Sequence, residues 1–180
     1  MSRANLSLSV HRRQDPRQEL STVVAERRVL APDATSPAVA QRLERWNSLF
    51  QLRLREFGFS TLPVDEVAID IAGRPTHAGY DIAFQGSASD GIRLRWAYLV
   101  SLLEAMIETA GRHIGFLLMD EPRQQEVDEA DFQNLLRRLS QLSVGQVVVA
   151  SSEPLERLES WLSGTDSAIV SAAPLLLKPV

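Results

Sequence analysis

Ile114-Gly115-Phe116-Leu117-Leu118-Met119-Asp120-Glu121-Pro122 is the stretch on which the fold turns. A short apolar run that stops at two adjacent carboxylates and a proline has the form of a buried parallel strand carrying charge to the carboxyl edge of its sheet. Open α/β sheets place their chemistry at that edge. A carboxylate taken out of water is costly unless something compensates it. A magnesium ion held by Asp120, with Glu121 polarising a water beside it, is one compensation. The other reading of the same residues is a strand that ends in an exposed acidic turn.

Working outward, residues 86–91 read Gly-Ser-Ala-Ser-Asp-Gly and precede a periodic apolar segment with Ile92, Trp96, Leu99, Val100, Leu103, Met106 and Ile107. That is a helix start, and Ser87 with Asp90 three residues on has capping-box spacing. A Ser- and Gly-rich helix start presents unpaired N–H groups and the positive end of the helix dipole, which suits a phosphate; a plain cap is the alternative. Further upstream, Val39, Leu43, Trp46, Leu49, Phe50, Leu54 and Phe57 recur at three and four, so residues 38–58 are expected as an amphipathic helix, at most a short coiled-coil stub. Val67, Ile69 and Ile71, then Tyr80, Ile82 and Phe84, alternate with polar residues and predict a hairpin with a long loop over residues 72–79. Residues 1–37, with Pro16, Pro32 and Pro37, read as an irregular leader.

Downstream, residues 130–142 carry a helical stripe of Phe132, Leu135, Leu136 and Leu139. Gln146-Val147-Val148-Val149-Ala150 is a second buried strand ending in Ser151-Ser152-Glu153-Pro154, residues 155–162 make a short helix, and residues 168–172 are a candidate last strand. Helices alternating with strands imply an α/β fold, with parallel crossovers and a sheet covered on both faces. The Ser87 loop and the two strand ends would then gather three polar loops at one end.

The chain of 180 residues has room for one ordinary domain and a tail, and its 44% apolar content suits a globular core. It has no cysteine, which excludes disulfide frameworks and thiolate metal sites. No apolar run approaches the roughly 20 residues of a membrane span, and the N-terminus, with Arg3, His11, Arg12 and Arg13, lacks the form of a secretory signal. A soluble, cytoplasmic protein without a membrane partner is expected. A net charge of -4 argues against a broadly basic nucleic-acid surface, leaving DNA as a candidate partner only through local groups such as Arg93, Arg95, Arg137 and Arg138.

Taken together, these motifs resemble the ABC-type ATPases, in the SMC-like branch that includes chromosome-maintenance and DNA-repair ATPases. Gly86-Ser87-Ala88-Ser89-Asp90 resembles the signature loop, residues 114–121 the Walker B strand, residues 122–128 the D-loop, and residues 147–152 the strand leading to the switch residue. The resemblance runs from about Val67 to Val170. It therefore implies a partial P-loop NTPase: residues 64–180 as the C-terminal lobe of such an ATPase, three-layered with a mostly parallel sheet, to which the N-terminal helix and hairpin are added. Asp120 would bind Mg2+, Glu121 would be the general base, and Ser152 would stand at the switch position, normally a histidine. Ser87, Ala88, Ser89 and Asp128 (or Val127) would contact ATP held by the opposite protomer of an ATP-dependent dimer.

One group is missing from the set. A P-loop needs a lysine followed by Ser or Thr, and the only lysine, Lys178, is followed by Pro179. A Walker A-bearing N-terminal lobe or partner chain is the expected partner, and ATP hydrolysis is expected only from the completed assembly. Serine at 152 cannot carry charge, and Asp90, where the loop normally has glutamine, brings a negative charge towards a phosphate. A non-catalytic remnant or interaction module with the same fold, and an unrelated metal-dependent α/β enzyme using Asp120 and Glu121, are the alternatives.

Overall fold

The computed structural model describes residues 36–82, 86–111, 113–123, 127–142 and 145–171. The expected leader with His11, Phe84, the middle of the expected D-loop at residues 124–126, and the apolar tail with Lys178 lie outside the described residues. The chain divides into two units, Met1–Pro37 and Ala38–Val180, and the second is described here.

The leading helix, α1, spans Pro37–Glu56 and buries Trp46, Leu49, Phe50, Arg53 and Leu54, one face at helical spacing. Val39, expected in that stripe, is exposed. The helix stops where the sequence offers Gly58, whose φ of 76° is open to glycine at no steric cost. The Phe59 N–H returns to the Leu54 carbonyl at 3.0 Å and the Gly58 N–H to Arg55 at 3.3 Å, the paired bonds of a Schellman ending.

Next come three short strands, β1 (Val67–Ile69), β2 (Pro75–His77) and β3 (Tyr80–Asp81), in an antiparallel meander ordered β1-β2-β3. The expected hairpin is therefore corrected. Residues within its expected loop form the central strand, so the two predicted strands do not pair with each other. Asp70 explains the change: its carboxylate accepts from the Ala72 and Arg74 N–H groups at 2.9 and 2.8 Å, turning the chain immediately and leaving Ile71 exposed. The outer edge of β1 is occupied by α1. Asn47 exchanges hydrogen bonds with both backbone groups of Ile69, and Gln51, one turn on, donates to the Val67 carbonyl at 2.9 Å.

Helix α2 (Ala88–Glu108) is the central element, burying Leu94, Trp96, Ala97, Val100, Leu103 and Ala105. It ends through Ala110, held at φ 50°. Strands β4 (Phe116–Asp120) and β5 (Gln146–Ala150) pair in parallel, Phe116 against Gln146 through Asp120 against Ala150, and between them lies α3 (Glu129–Ser140). A short helix, α4 (Leu155–Trp161), follows. At the amino ends of the two strands Gly115 and Gly145 face each other so closely that a Cβ on Gly145 would stand 2.3 Å from the Gly115 carbonyl oxygen.

The protein is thus a mixed α/β structure with one antiparallel and one parallel sheet. Three expectations are corrected. Among the described residues the parallel sheet has only two strands, and the antiparallel strands form a separate sheet, so no extended parallel sheet is present there. The strand at residues 114–119 is not buried on both faces: Leu117 and Met119 point into the core, but Phe116 is 40% and Leu118 57% exposed. With two strands and, among the described residues, helices on one side, the alternating pattern of a half-covered sheet replaces the continuous burial of a covered one. Residues 168–171 form no strand.

The helices are bound by an aromatic chain, Phe57 to Trp96 to Phe132 to Trp161, with centroids about 6 Å apart at each step (6.1, 6.1 and 5.9 Å). Beside it, the buried Glu104 of α2 accepts from Arg53 of α1 at 3.0 Å and from Arg138 of α3 at 2.6 Å. No described helix is long and apolar enough to cross a membrane.

Candidate functional site

Two strand ends meet where the sequence places them. Asp120 closes β4, and Glu121 leaves the sheet with φ 44° while its N–H still donates to the Ala150 carbonyl of β5 at 2.9 Å. For a residue with a Cβ this left-handed conformation costs about 1 kcal/mol or more and persists only where surrounding contacts impose it. The turn points the Glu121 carboxylate past the end of β5, where the Ser152 hydroxyl donates to its Oε2 at 3.1 Å. Behind them, Arg123 forms an ion pair with Glu153, and the Trp96 indole N–H of α2 donates to the Pro122 carbonyl at 3.2 Å. Glu121 and Ser152, both assigned to catalysis by resemblance, are therefore in contact. Asp120 is exposed, so hydration alone satisfies its charge, and the sequence argument that burial demands a compensating ion is corrected. Among the described residues no group of three or more metal-ligating side chains converges.

A second cluster lies at the start of α2. Ser87 caps the helix, its hydroxyl accepting from the Asp90 N–H at 3.1 Å, and stands 3.2 Å from the Ser89 hydroxyl. Ser87 and Ala88 are exposed at the first turn, as a phosphate contact requires. Only half of the expected capping box forms. The Asp90 carboxylate does not return to Ser87; it is buried, 2% exposed, and accepts from the Ser60 and Thr61 N–H groups at 3.2 and 2.7 Å and from the Thr61 hydroxyl. Burial by itself pushes the Asp90 carboxyl up. The Thr61 hydroxyl, the Arg93 guanidinium and the Ser60 and Thr61 backbone outweigh it and hold the group below the usual carboxylate range. The negative charge expected to face a phosphate is instead spent inside the protein.

Arg93 joins this cluster to α3. Its guanidinium, buried and 9% exposed as a side chain, donates to Asp90 at 2.9 Å, to Ser89 at 3.2 Å, to Asp131 at 2.8 Å and to Asp128 at 3.3 Å. Asp128 immediately precedes α3 and is otherwise exposed. Ser89 and Asp128, assigned to one surface by resemblance, are thus two ligands of one arginine. Arg93 and Arg138, read from sequence as candidate DNA-phosphate contacts, are both engaged internally, while Arg95 and Arg137 are exposed. Of the other histidines, His77 faces Glu66 at 2.8 Å and His113 accepts from the Gly115 N–H at 3.0 Å.

No protein-family model matches the sequence, and no curated protein is significantly similar to it. The site rests on its own geometry. Sequence reasoning missed Asp131, Ser60, Thr61, Trp96 and the Arg123–Glu153 pair as parts of this region. The signal that could have found the first is Arg93 itself, a cation three residues after Asp90 on the apolar side of a core helix, where it needs partners.

Proposed function

We propose that this chain is the C-terminal half of an SMC-like ABC ATPase, supplying signature loop, Walker B strand and D-loop to ATP sandwiched in a dimer. The observation that carries the reading is the carboxyl end of the β4–β5 pair, where Glu121 is held in a left-handed turn and hydrogen-bonded to Ser152. A strained backbone at a parallel strand end supports a functional role for the side chain it carries, because such strain clusters at active sites. The inward turn of Asp90 supports it, because the start of α2 is left with Ser87 and Ala88 exposed, Ser89 half-buried against Arg93, and no uncompensated negative charge.

In this reading Glu121 would be the general base for the attacking water, Ser152 would orient its carboxylate, and Asp120 would be the residue to hold Mg2+, with the remaining ligands coming from the nucleotide and solvent. Ser87, Ala88, Ser89 and Asp128 meet the γ-phosphate of ATP bound by the other protomer. The Walker A-bearing lobe lies on a partner chain or a separate segment, and it covers the outward face of Phe116, Leu118 and Val148, which a parallel sheet ordinarily buries. The resemblance puts such an assembly in DNA repair or in genome and phage defence, with DNA as a candidate ligand and a cytoplasmic setting.

The test is ATP hydrolysis with Mg2+. The chain alone turns over no ATP; combined with a Walker A-bearing chain encoded beside it, it does, and Glu121→Gln lowers the rate by about 100-fold or more. Turnover by the chain alone, or indifference of the combined system to Glu121→Gln, overturns the reading. The second reading, a non-catalytic interaction module of the same fold, is favoured by Ser152, which cannot supply the charge of a switch histidine. It predicts that no combination hydrolyses ATP and that Glu121→Gln has no phenotype.

A further inference from the structure

Arg93 and Trp96 lie three residues apart on one face of α2 and hold the two ends of the same connection. Trp96 binds the carbonyl of Pro122, just past the strand end, and Arg93 binds Asp128 and Asp131 at the start of α3. The same guanidinium reaches back to Ser89 and Asp90 in the first turn of α2, and Asp90 grips Ser60 and Thr61, which follow the last turn of α1. Gly58, the residue that ends α1, lies so near Asp131 that a Cβ there would stand 2.6 Å from its Oδ1. Three separate stretches of chain therefore meet around the buried Arg93–Asp90 pair, two of them on Arg93 directly and the end of α1 through Asp90.

We infer that Arg93 is the positioning residue of the trans surface: it fixes the spacing between the Ser87–Ser89 turn and Asp128, and ties both to the end of α1. The inference rests on the ATPase reading for its functional meaning, and on the contacts above for its geometry. A planar fork with donors on several sides can serve Ser89, Asp90, Asp128 and Asp131 at once; a lysine ammonium on a flexible stem cannot hold four acceptors at fixed separations. A surface that contacts a nucleotide across a dimer depends on such spacing, because a misplacement near 1 Å is enough to weaken it.

Arg93→Lys keeps the charge and removes the fork. In the chain alone, amide hydrogen exchange is expected to rise about tenfold together at residues 60–61, 87–91 and 128–132, and to stay at the wild-type level in β4 and β5. Asp131→Asn should give the same pattern more weakly. In the ATP-hydrolysing assembly, Arg93→Lys should raise the ATP concentration at half-maximal rate about tenfold and leave kcat within twofold, which a loss of folded protein would not do. Exchange rising at one segment only, or everywhere, overturns the inference, as does a fall in kcat at unchanged half-saturation. If the wild-type assembly hydrolyses no ATP, the ATPase reading fails on its own, and the exchange measurement still decides whether Arg93 couples the three segments.

Discussion

Asp90 is the residue whose role changes most between sequence and structure. A carboxylate at that position seemed aimed at an incoming phosphate; it instead closes a buried set of hydrogen bonds with Ser60, Thr61 and Arg93. Its folded pKa lies below its ordinary value, so it stabilises the native state at any pH above the ordinary carboxylate range near 4, and that contribution is lost as pH falls through and below it. Asp90→Asn should therefore lower the unfolding free energy at pH 7 by about 2–3 kcal/mol, since Arg93 keeps Asp131. It should also flatten the decline between pH 5 and 3; a urea titration at each pH reads both, and an undiminished acid slope would show that the stabilising carboxylate lies elsewhere. Glu121 was visible in the sequence as a charge at a strand end. Its left-handed turn was not, because no local residue preference asks for it: the conformation is imposed by the bond to Ala150 and the reach to Ser152.

At the scale of elements, the helices were legible because their apolar residues repeat at helical spacing and glycine stands at the end of α1. The bounds of the parallel strand β5 were legible to the residue, between Gly145 and Ser151, but its expected burial was not met: Val147 and Val149 are half-buried and Val148 is exposed. The meander was not, since β2 contains Pro75 and polar Thr76 and His77, and its pairing depends on the Asp70 turn and on side chains borrowed from α1. Nor did any pattern announce that Glu104, mid-helix in α2, would bind arginines from α1 and α3. Replacing Glu104 by Ala should destabilise the protein by about 3–5 kcal/mol, because Arg53 and Arg138 then lose the anion they share and Arg53 is itself buried. Substituting all three together by apolar residues should recover most of that loss. Thermal unfolding of the single and triple variants distinguishes an ionic requirement from a packing one.

At the scale of the whole molecule, the described helices cover one side of the β4–β5 pair, and among the described residues Phe116, Leu118 and Val148 are left outward and Ile114 87% exposed at its amino end. An exposed leucine adds little to the stability of the isolated chain, so Leu118→Ser should change it by less than about 0.5 kcal/mol. If the proposed Walker A-bearing lobe covers this face, the same substitution should weaken its association about tenfold or more, the share expected of one leucine buried on assembly. A loss of about 2 kcal/mol in the chain alone would mean the face is already covered. The order of strand and helix was in the sequence; this one-sidedness was not, because a run of apolar residues looks alike whether one face or two are buried. The facing glycines at the other end of the strands carry a consequence for how the chain folds. Strand side chains alternate faces, so a slip of one residue between β4 and β5 would turn Phe116 and Leu118 inward and part Glu121 from Ser152. A side chain at Gly145 would strike the Gly115 carbonyl oxygen, and Gly115 itself holds a φ of 71°, so the aligned pair demands glycine at its origin, five residues before the acidic end where an error would be felt.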